Sequence, residues 1–168
     1  MISQKQKGKL LFRADINIIT NIAEDHLDRY NDFSHYFNTK LRDKIGMTGG
    51  AWIDSGDGLS VYWSTTRNMA RFGLLALNKG KWNGSIILNE NYFNEATSTS
   101  QTINQSYGYL WWLNGKTSYH LPQTQLQFNG SLVPTAPNDM FCALGKNDQK
   151  IYIVPSKKMV VIRMGDPA

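Results

Sequence analysis

A serine becomes a nucleophile when a neighbouring group can take its proton, and a lysine three residues on along a helix shares its face. No serine in this chain has that partner: Ser3 is followed three residues later by Gln6, Ser64 by Arg67 and Ser156 by Met159. Two Tyr-x-Asn triplets, Tyr36-Phe37-Asn38 and Tyr92-Phe93-Asn94, could relay a proton, but both fall inside helical patterns and read as coincidence. The single cysteine, Cys142, sits in an apolar strand run and reads as a small core residue rather than a nucleophile. His26, His35 and His120 lack metal-ligand spacing. Asp54 and Asp57 lie in a glycine-rich stretch without the rest of a calcium pattern, so they read as turn residues. No metal and no cofactor is expected. Gly115-Lys116-Thr117 spells the end of a phosphate loop, but position 110 is Leu110 where that loop needs glycine. Trp111-Trp112 could stack bases, yet adjacent strand residues point to opposite faces, so only one can line a given site.

The elements that would position such groups begin with a helix over Leu10 to Leu27, carried by Ile16, Ile19, Ala23 and Leu27. Asn31 or Asp32 caps a second helix, Phe33 to Ile45, with Phe33, Tyr36, Phe37, Leu41 and Ile45 on one face and Gly46 ending it. Thr48 to Trp63 is glycine-rich, shows little periodicity and reads as a loop. Ser64 caps Thr65 to Asn78, with Met69, Phe72, Leu75 and Leu77 as the buried stripe and Gly80 as the stop. Asn89 caps a short helix through Ala96, and Tyr107 to Trp112 reads as an aromatic strand. Asn114 to Pro137 is a polar, turn-rich excursion over the cleft. The C-terminal run then gives three strands: Met140 to Leu144, Ile151 to Val154 and Met159 to Met164. Connections of six and four residues force them to be antiparallel neighbours. The class is α+β, an antiparallel sheet of C-terminal strands covered by helices. It is read as one domain over 1–168, helical over about 10–97 and sheet over about 107–165.

Several of these stretches, in this order, resemble the serine β-lactamase and penicillin-binding-protein superfamily, in its branch of class C-like esterases and amide hydrolases. Ala143-Leu144-Gly145 stands where that family has a Lys/His-Thr-Gly triplet or a non-basic variant. Gln149, Pro155 and Val160-Val161-Ile162-Arg163-Met164-Gly165 follow at the family's spacing. Upstream, Gly46-Met47, Gly58-Leu59-Ser60, Asn68-Met69-Ala70-Arg71-Phe72-Gly73, Lys79 to Gly84 and Tyr107-Gly108-Tyr109-Leu110-Trp111-Trp112 continue the match, which runs from about Asn17 to Gly165. The resemblance implies an incomplete β-lactamase/transpeptidase-like fold. It also implies an oxyanion strand at Ala143, Leu144, Gly145 and Lys146, with the Lys146 N–H as donor, and cleft-wall candidates Tyr107, Tyr109, Trp111 and Gln149. Arg13-Ala14-Asp15 occupies the place of the family's Tyr-x-Asn, and an arginine cannot act as its base. The implied substrates are small acyl esters, amides or β-lactam-like compounds. With no Ser-x-x-Lys, the chain is expected to be the inactive C-terminal part of such an enzyme. The alternative is a non-catalytic module recognising a peptide or glycan.

The bulk properties agree with a packed domain. The chain has 168 residues, 41% hydrophobic and 18% charged, with seven Phe, eight Tyr and five Trp. A net charge of +5 comes without a basic block, so no nucleic-acid partner is expected. No apolar run reaches membrane-spanning length, and Met1 to Lys9 is polar and basic with no apolar region following, so no signal peptide is read and the compartment stays open. A sheet of three C-terminal strands alone would leave an edge and an apolar face uncovered. Association with a second copy or a complementing N-terminal segment is therefore expected.

Overall fold

The computed structural model describes residues 32–54, 60–121 and 124–165. The expected helix over Leu10 to Leu27 and the Arg13-Ala14-Asp15 triplet lie outside them, as do His26 and Asp57. Asp32 caps the first helix, α1 (Phe33–Phe37), by accepting the His35 N–H at 2.7 Å. The expected straight helix to Ile45 instead changes to a wider π turn over Asn38–Arg42 before ending at Gly46 with φ +68°. That shift leaves Leu41 and Ile45 facing the core, both buried.

Thr48 to Trp63 is not a loop. It contains an antiparallel pair, β1 (Ala51–Asp54) and β2 (Ser60–Trp63), in register Trp52↔Tyr62. The inward face is aromatic: Trp52 lies between Phe33, Phe37 and Tyr62, with ring centroids 4.4 to 5.2 Å apart. The outward face carries Ile53, Val61 and Trp63, so neither face is polar and the usual alternation is hidden.

Thr65, one residue later than expected, caps α2 (Thr66–Leu77) by accepting the Asn68 N–H. Asn68 is buried and ties this end to the preceding chain. Its Nδ2 donates to Thr48 O and Ser64 Oγ, each at 2.8 Å, and its Oδ1 accepts Thr48 N–H at 3.2 Å. A two-residue hairpin, β3 (Lys81–Trp82) and β4 (Ser85–Ile86), leads to α3 (Glu90–Ala96), which Asn89 caps as expected.

The aromatic run after α3 is a correction. Tyr107 to Trp111 is not a strand but a tight reversal, in which Gly108 N–H donates to Trp111 O and Tyr107 bridges Trp112. Leu110 adopts φ +66°, which no strand allows. Gly108 lies so close to the Ala96 carbonyl that a Cβ there would overlap it, and the Tyr109 N–H donates to that same oxygen. Only β5 (Trp112–Leu113) extends from this run. The excursion that follows holds a small hairpin of its own, β6 (Ser118–His120) and β7 (Gln127–Asn129).

The C-terminal strands form as expected: β8 (Phe141–Leu144), β9 (Lys150–Val154) and β10 (Met159–Arg163). With β5 they make a four-stranded antiparallel sheet in the order β10-β9-β8-β5. The register sets two faces. One carries Leu113, Phe141, Ala143, Ile151, Ile153, Val160 and Ile162, and α2 lies against it so closely that Gly73 leaves no room for a Cβ beside Val160. Leu41, Ile45, Leu75, Phe93, Trp111, Phe141 and Ile153 share a single core, so the π turn and the turn after it, α2, α3 and the sheet bury one another. The other face carries Trp112, Cys142, Tyr152 and Val161 in one row; Cys142 is fully buried while Val161 is 42% exposed. No described helix is long and apolar enough to cross a membrane.

Candidate functional site

The turn that follows β8 is held from several sides. Gly145 N–H donates to Gln149 O at 2.8 Å, closing a loop whose Asn147 and Asp148 both take left-handed backbone angles, φ +56° and +62°. Those angles are costly for residues with side chains, and Asp148 offsets the cost with an ion-pair cluster. It pairs with Lys150 and, at 3.0 Å, with Arg163 Nε, while Arg163 Nη1 donates to the Asp148 carbonyl at 3.0 Å. The Lys150 hydrogen bond, followed by the Arg163 charge, holds the Asp148 carboxyl below its ordinary range, and the same bond raises Lys150.

Gln149 clamps the end of β10 to this turn. Its Nε2 donates to Gly165 O at 2.8 Å and to Asn147 O at 2.9 Å, and its Oε1 accepts Gly165 N–H at 3.0 Å. The Gln149 amide is therefore engaged with backbone on both its nitrogen and its oxygen. Gly145 itself is exposed, and a Cβ placed on it would sit 3.3 Å from the Gln149 Cβ.

Beside β5 lies a cavity of about 470 Å³. Ile103, Tyr107, Trp112 and Leu121 give it apolar and aromatic walls, and Asn104 and His120 supply polar groups. Trp112 pairs with Cys142, three residues before Gly145, so the cavity and the turn lie about 10 Å apart along the ladder. The cavity is built by buried amide and hydroxyl bonds. Asn104 Oδ1 accepts from the N–H groups of Ser106 and His120, and Ser106 Oγ donates to Ser118 O at 2.8 Å, so the 104–106 turn grips β6. Tyr107 rests edge-on against Trp112 at 4.9 Å, and burial pushes its hydroxyl above the usual range.

The other cleft-wall candidates separate. Trp111 turns into the core, T-shaped against Phe141 at 5.1 Å and stacked near Phe72 at 6.1 Å, so it presents no wall to solvent. Its neighbour Trp112 lines the cavity instead, as opposite-facing adjacent residues require. Tyr109 is 46% exposed and lies 6.2 Å from Tyr92. Cys142 is buried, and burial raises its thiol to about 12, which keeps it inert as a nucleophile. Tyr92-Phe93-Asn94 lies on α3 with Phe93 in the core, and Tyr36-Phe37-Asn38 runs from α1 into the π turn. Gly115-Lys116-Thr117 leads into a strand rather than a helix, so it has no helix N-terminus to offer a phosphate. Among the described residues no three His, Cys, Asp or Glu side chains are placed to hold a metal ion. The 470 Å³ cavity was not foreseen; its signal was the polar pair Asn104 and Ser106 sitting just before the aromatic run.

Comparison with known proteins divides the chain unevenly. The Mur ligase middle domain family matches residues 1–45. Two curated relatives, UDP-N-acetylmuramoylalanine–D-glutamate ligases of Citrifermentans bemidjiense and Geobacter sp. strain M21, are each 55% identical to this chain over 36 residues. That is 21% of this chain and 8% of either ligase. The match competes for the stretch from Asn17 onward, which the hydrolase resemblance also claims. Solved structures match a longer share. A protein from Bacillus anthracis assigned as a 6-aminohexanoate-dimer hydrolase superposes over 77% of this chain, with TM-score 0.54 and 23% identity. A protein from Bacteroides dorei assigned as a β-lactamase does so over 77%, with TM-score 0.50 and 11% identity. The chain spans 31% and 43% of those two structures. Phe37, Leu41 and Ile45 pack into the same core as the sheet, and the body built on that core has a β-lactamase-like α+β fold.

Proposed function

We propose that this chain supplies the oxyanion strand and one wall of the cleft of a β-lactamase-related serine hydrolase that acts on small esters, amides or β-lactam-like acyl compounds. The observation that carries this reading is the braced turn after β8. Gly145 is exposed at the end of the strand where the resembling family places its third motif, and the Gln149–Gly165 clamp and the Asp148–Lys150–Arg163 cluster hold it still. An oxyanion hole works by being preorganised, so a turn fixed at both its backbone and its ion pairs suits the task. In this reading the Lys146 N–H is one donor, Ala143 and Leu144 flank the acyl group, and Tyr107 forms the wall.

The nucleophile does not come from this sequence, because none of its serines has lysine three residues later. Acyl-enzyme chemistry is therefore not expected from the chain by itself. Incubation with a fluorophosphonate probe, followed by intact mass measurement, tests this. The expected result is an unmodified mass, and a covalent adduct on a serine of this chain would overturn it.

A second reading, a non-catalytic module recognising a peptide or glycan, is favoured by one observation: the open groove lined by Ile103, Tyr107, Trp112, His120 and Leu121 needs no nucleophile to hold a ligand. The labelling result leaves that reading standing; titration with short peptides and glycan fragments, followed by tryptophan fluorescence, tests it, and no change with either would overturn it.

A further inference from the structure

β10 is the open edge of the four-stranded sheet: in the order β10-β9-β8-β5, no strand among the described residues pairs with its outer side. Alternate N–H and C=O groups of β10 therefore point away from β9 with no strand to meet them. Folded proteins blunt such an edge with a proline, a bulge, lysines or a very short strand. β10 has none of these. Met159-Val160-Val161-Ile162-Arg163 pairs with β9 over five consecutive residues without a bulge, and its one charge, Arg163, is already engaged by Asp148. Both faces of the strand are apolar and incompletely covered. Met159 and Val161 are 44% and 42% exposed on the face away from α2. Val160 and Ile162 stay half-buried on the α2 face, although Ile153 beside Val160 is fully buried.

α2 extends this apolar strip beyond the strand. Gly73 rests on Val160 and Ile151, so the helix lies over β10 and β9. Successive helix residues are turned by about 100°. Phe72 is turned one way, toward Trp111 and the middle of the sheet. Leu74 is turned the other way, past β10, and is 42% exposed.

We propose that this edge is the interface of a two-fold dimer, in which β10 of a second copy of the chain pairs antiparallel with β10 and joins the two sheets. The geometry selects that occupant. A two-fold axis normal to the sheet keeps both α2 helices on one face. Each helix lies about half a strand spacing inside β10, so with strands about 4.8 Å apart the two helices come to lie about 10 Å apart. Helices pack at about 8–10 Å, so Leu74 meets its counterpart as the strands pair. A lone strand from another protein would cover β10 and leave Leu74 bare. The charges agree. Exposed Arg67 lies on the Leu74 side of α2, seven residues or about 10 Å along the helix. The antiparallel arrangement keeps the two copies of it about 20 Å apart, beyond the screening length of about 8 Å. The two-fold closes on itself, which makes a dimer and not a fibre. The inference concerns assembly and stands apart from the hydrolase reading.

Sedimentation equilibrium of the full chain tests it, alongside Leu74→Glu and Val161→Lys, both at exposed positions, with near-UV circular dichroism to show that each variant is folded. The chain should sediment as a dimer, and each variant should raise the dissociation constant about tenfold or more. If Val161→Lys fails to fold, Leu74→Glu decides the matter alone. Leu74→Cys should oxidise to a cross-linked dimer, because the native Cys142 is buried, whereas Ile86→Cys, at a position 72% exposed on β4, should not. A monomer throughout, open-ended assemblies, a dimer that a folded variant leaves intact, or Ile86→Cys cross-linking as readily as Leu74→Cys would each overturn the inference.

Discussion

Replacing Gly73 with alanine sets two opposing effects against each other, and the structure says which wins. Gly73 lies inside α2, where alanine in place of glycine is worth about 1 kcal/mol of helix propensity. A Cβ at this position would come within 2.5 Å of Val160 Cγ1 on β10 and 3.3 Å of Ile151 Cγ2 on β9. Carbon atoms in contact prefer about 3.5–4.0 Å, so the first approach is short by about 1 Å. Both partners sit on hydrogen-bonded strands, and the helix must lift or the sheet must shift; such overpacking costs about 1–3 kcal/mol. The net expectation is a loss of up to about 2 kcal/mol, or up to about 8 °C in melting temperature for a chain of this size. Val160→Ala removes the clashing methyl, and by itself costs about 1–2 kcal/mol of lost burial. In the double variant the clash is gone, so the two changes should couple favourably by about 1 kcal/mol or more. Urea unfolding of the four proteins, followed by near-UV circular dichroism, measures all three differences. Stabilisation by Gly73→Ala alone, with no coupling to Val160→Ala, would refute the close packing of α2 on the sheet.

Three further outcomes follow from named contacts. Cys142 should resist a thiol reagent in the native protein and react at once in denaturant, because burial raises its thiol to about 12; rapid native modification would place it elsewhere than between Trp112 and Tyr152. Asn114 is buried and holds the chain ahead of β8, with Nδ2 donating to the carbonyls of Val133, Ala136 and Pro137 and Oδ1 accepting the Val133 N–H. Asn114→Ala should cost about 2–3 kcal/mol in urea unfolding, and Asn114→Asp at least as much, since a carboxylate would face three carbonyl oxygens. Stability should also fall in acid. Glu90 is held below its ordinary value of 4.5 by the Lys81 hydrogen bond and charge, and Asp148 below 3.8 by Lys150 and Arg163. Carboxylates lowered by folding stabilise fully above their unfolded values, and that support is lost as pH falls through the folded ones. The melting temperature should hold from pH 7 to about 5 and decline below about 4.5, less steeply in Glu90→Gln/Asp148→Asn and at high salt.

The C-terminal sheet was legible because three strands with short links admit only one antiparallel arrangement, and the cap positions Asp32 and Asn89 announced their helices. Thr65, not Ser64, became the cap of α2, since Ser64 was drawn into the Asn68 hydrogen bond instead. The β1–β2 hairpin was hidden because its outer face, with Ile53, Val61 and Trp63, is as apolar as its inner one, which erases the period-two signal. The aromatic run 107–112 looked like a strand by composition, but the contact of Gly108 with the end of α3 and the left-handed Leu110 bend it back on itself. Of the site, Gly145 and Gln149 could be found by spacing, but Gln149's role as a clamp depends on Gly165, sixteen residues away. The cavity left only the Asn104 and Ser106 pair as a signal in the sequence, because its lining comes from separate stretches: residues 103–107, β5, β6 and the chain just after it. The N-terminal stretch carries a second likeness, to Mur ligases, that reading it as an extension of the hydrolase pattern had missed.

The most direct test of the fold on which the hydrolase reading stands is a cross-strand nuclear Overhauser map of the isotopically labelled chain. The account predicts one continuous row, with backbone contacts of Trp112 to Cys142, Cys142 to Tyr152 and Tyr152 to Val161. It also predicts contact between the Gln149 side-chain amide and Gly165. A map in which the segment Met159 to Arg163 pairs with anything other than Lys150 to Val154, or in which Trp112 does not meet Cys142, would contradict it.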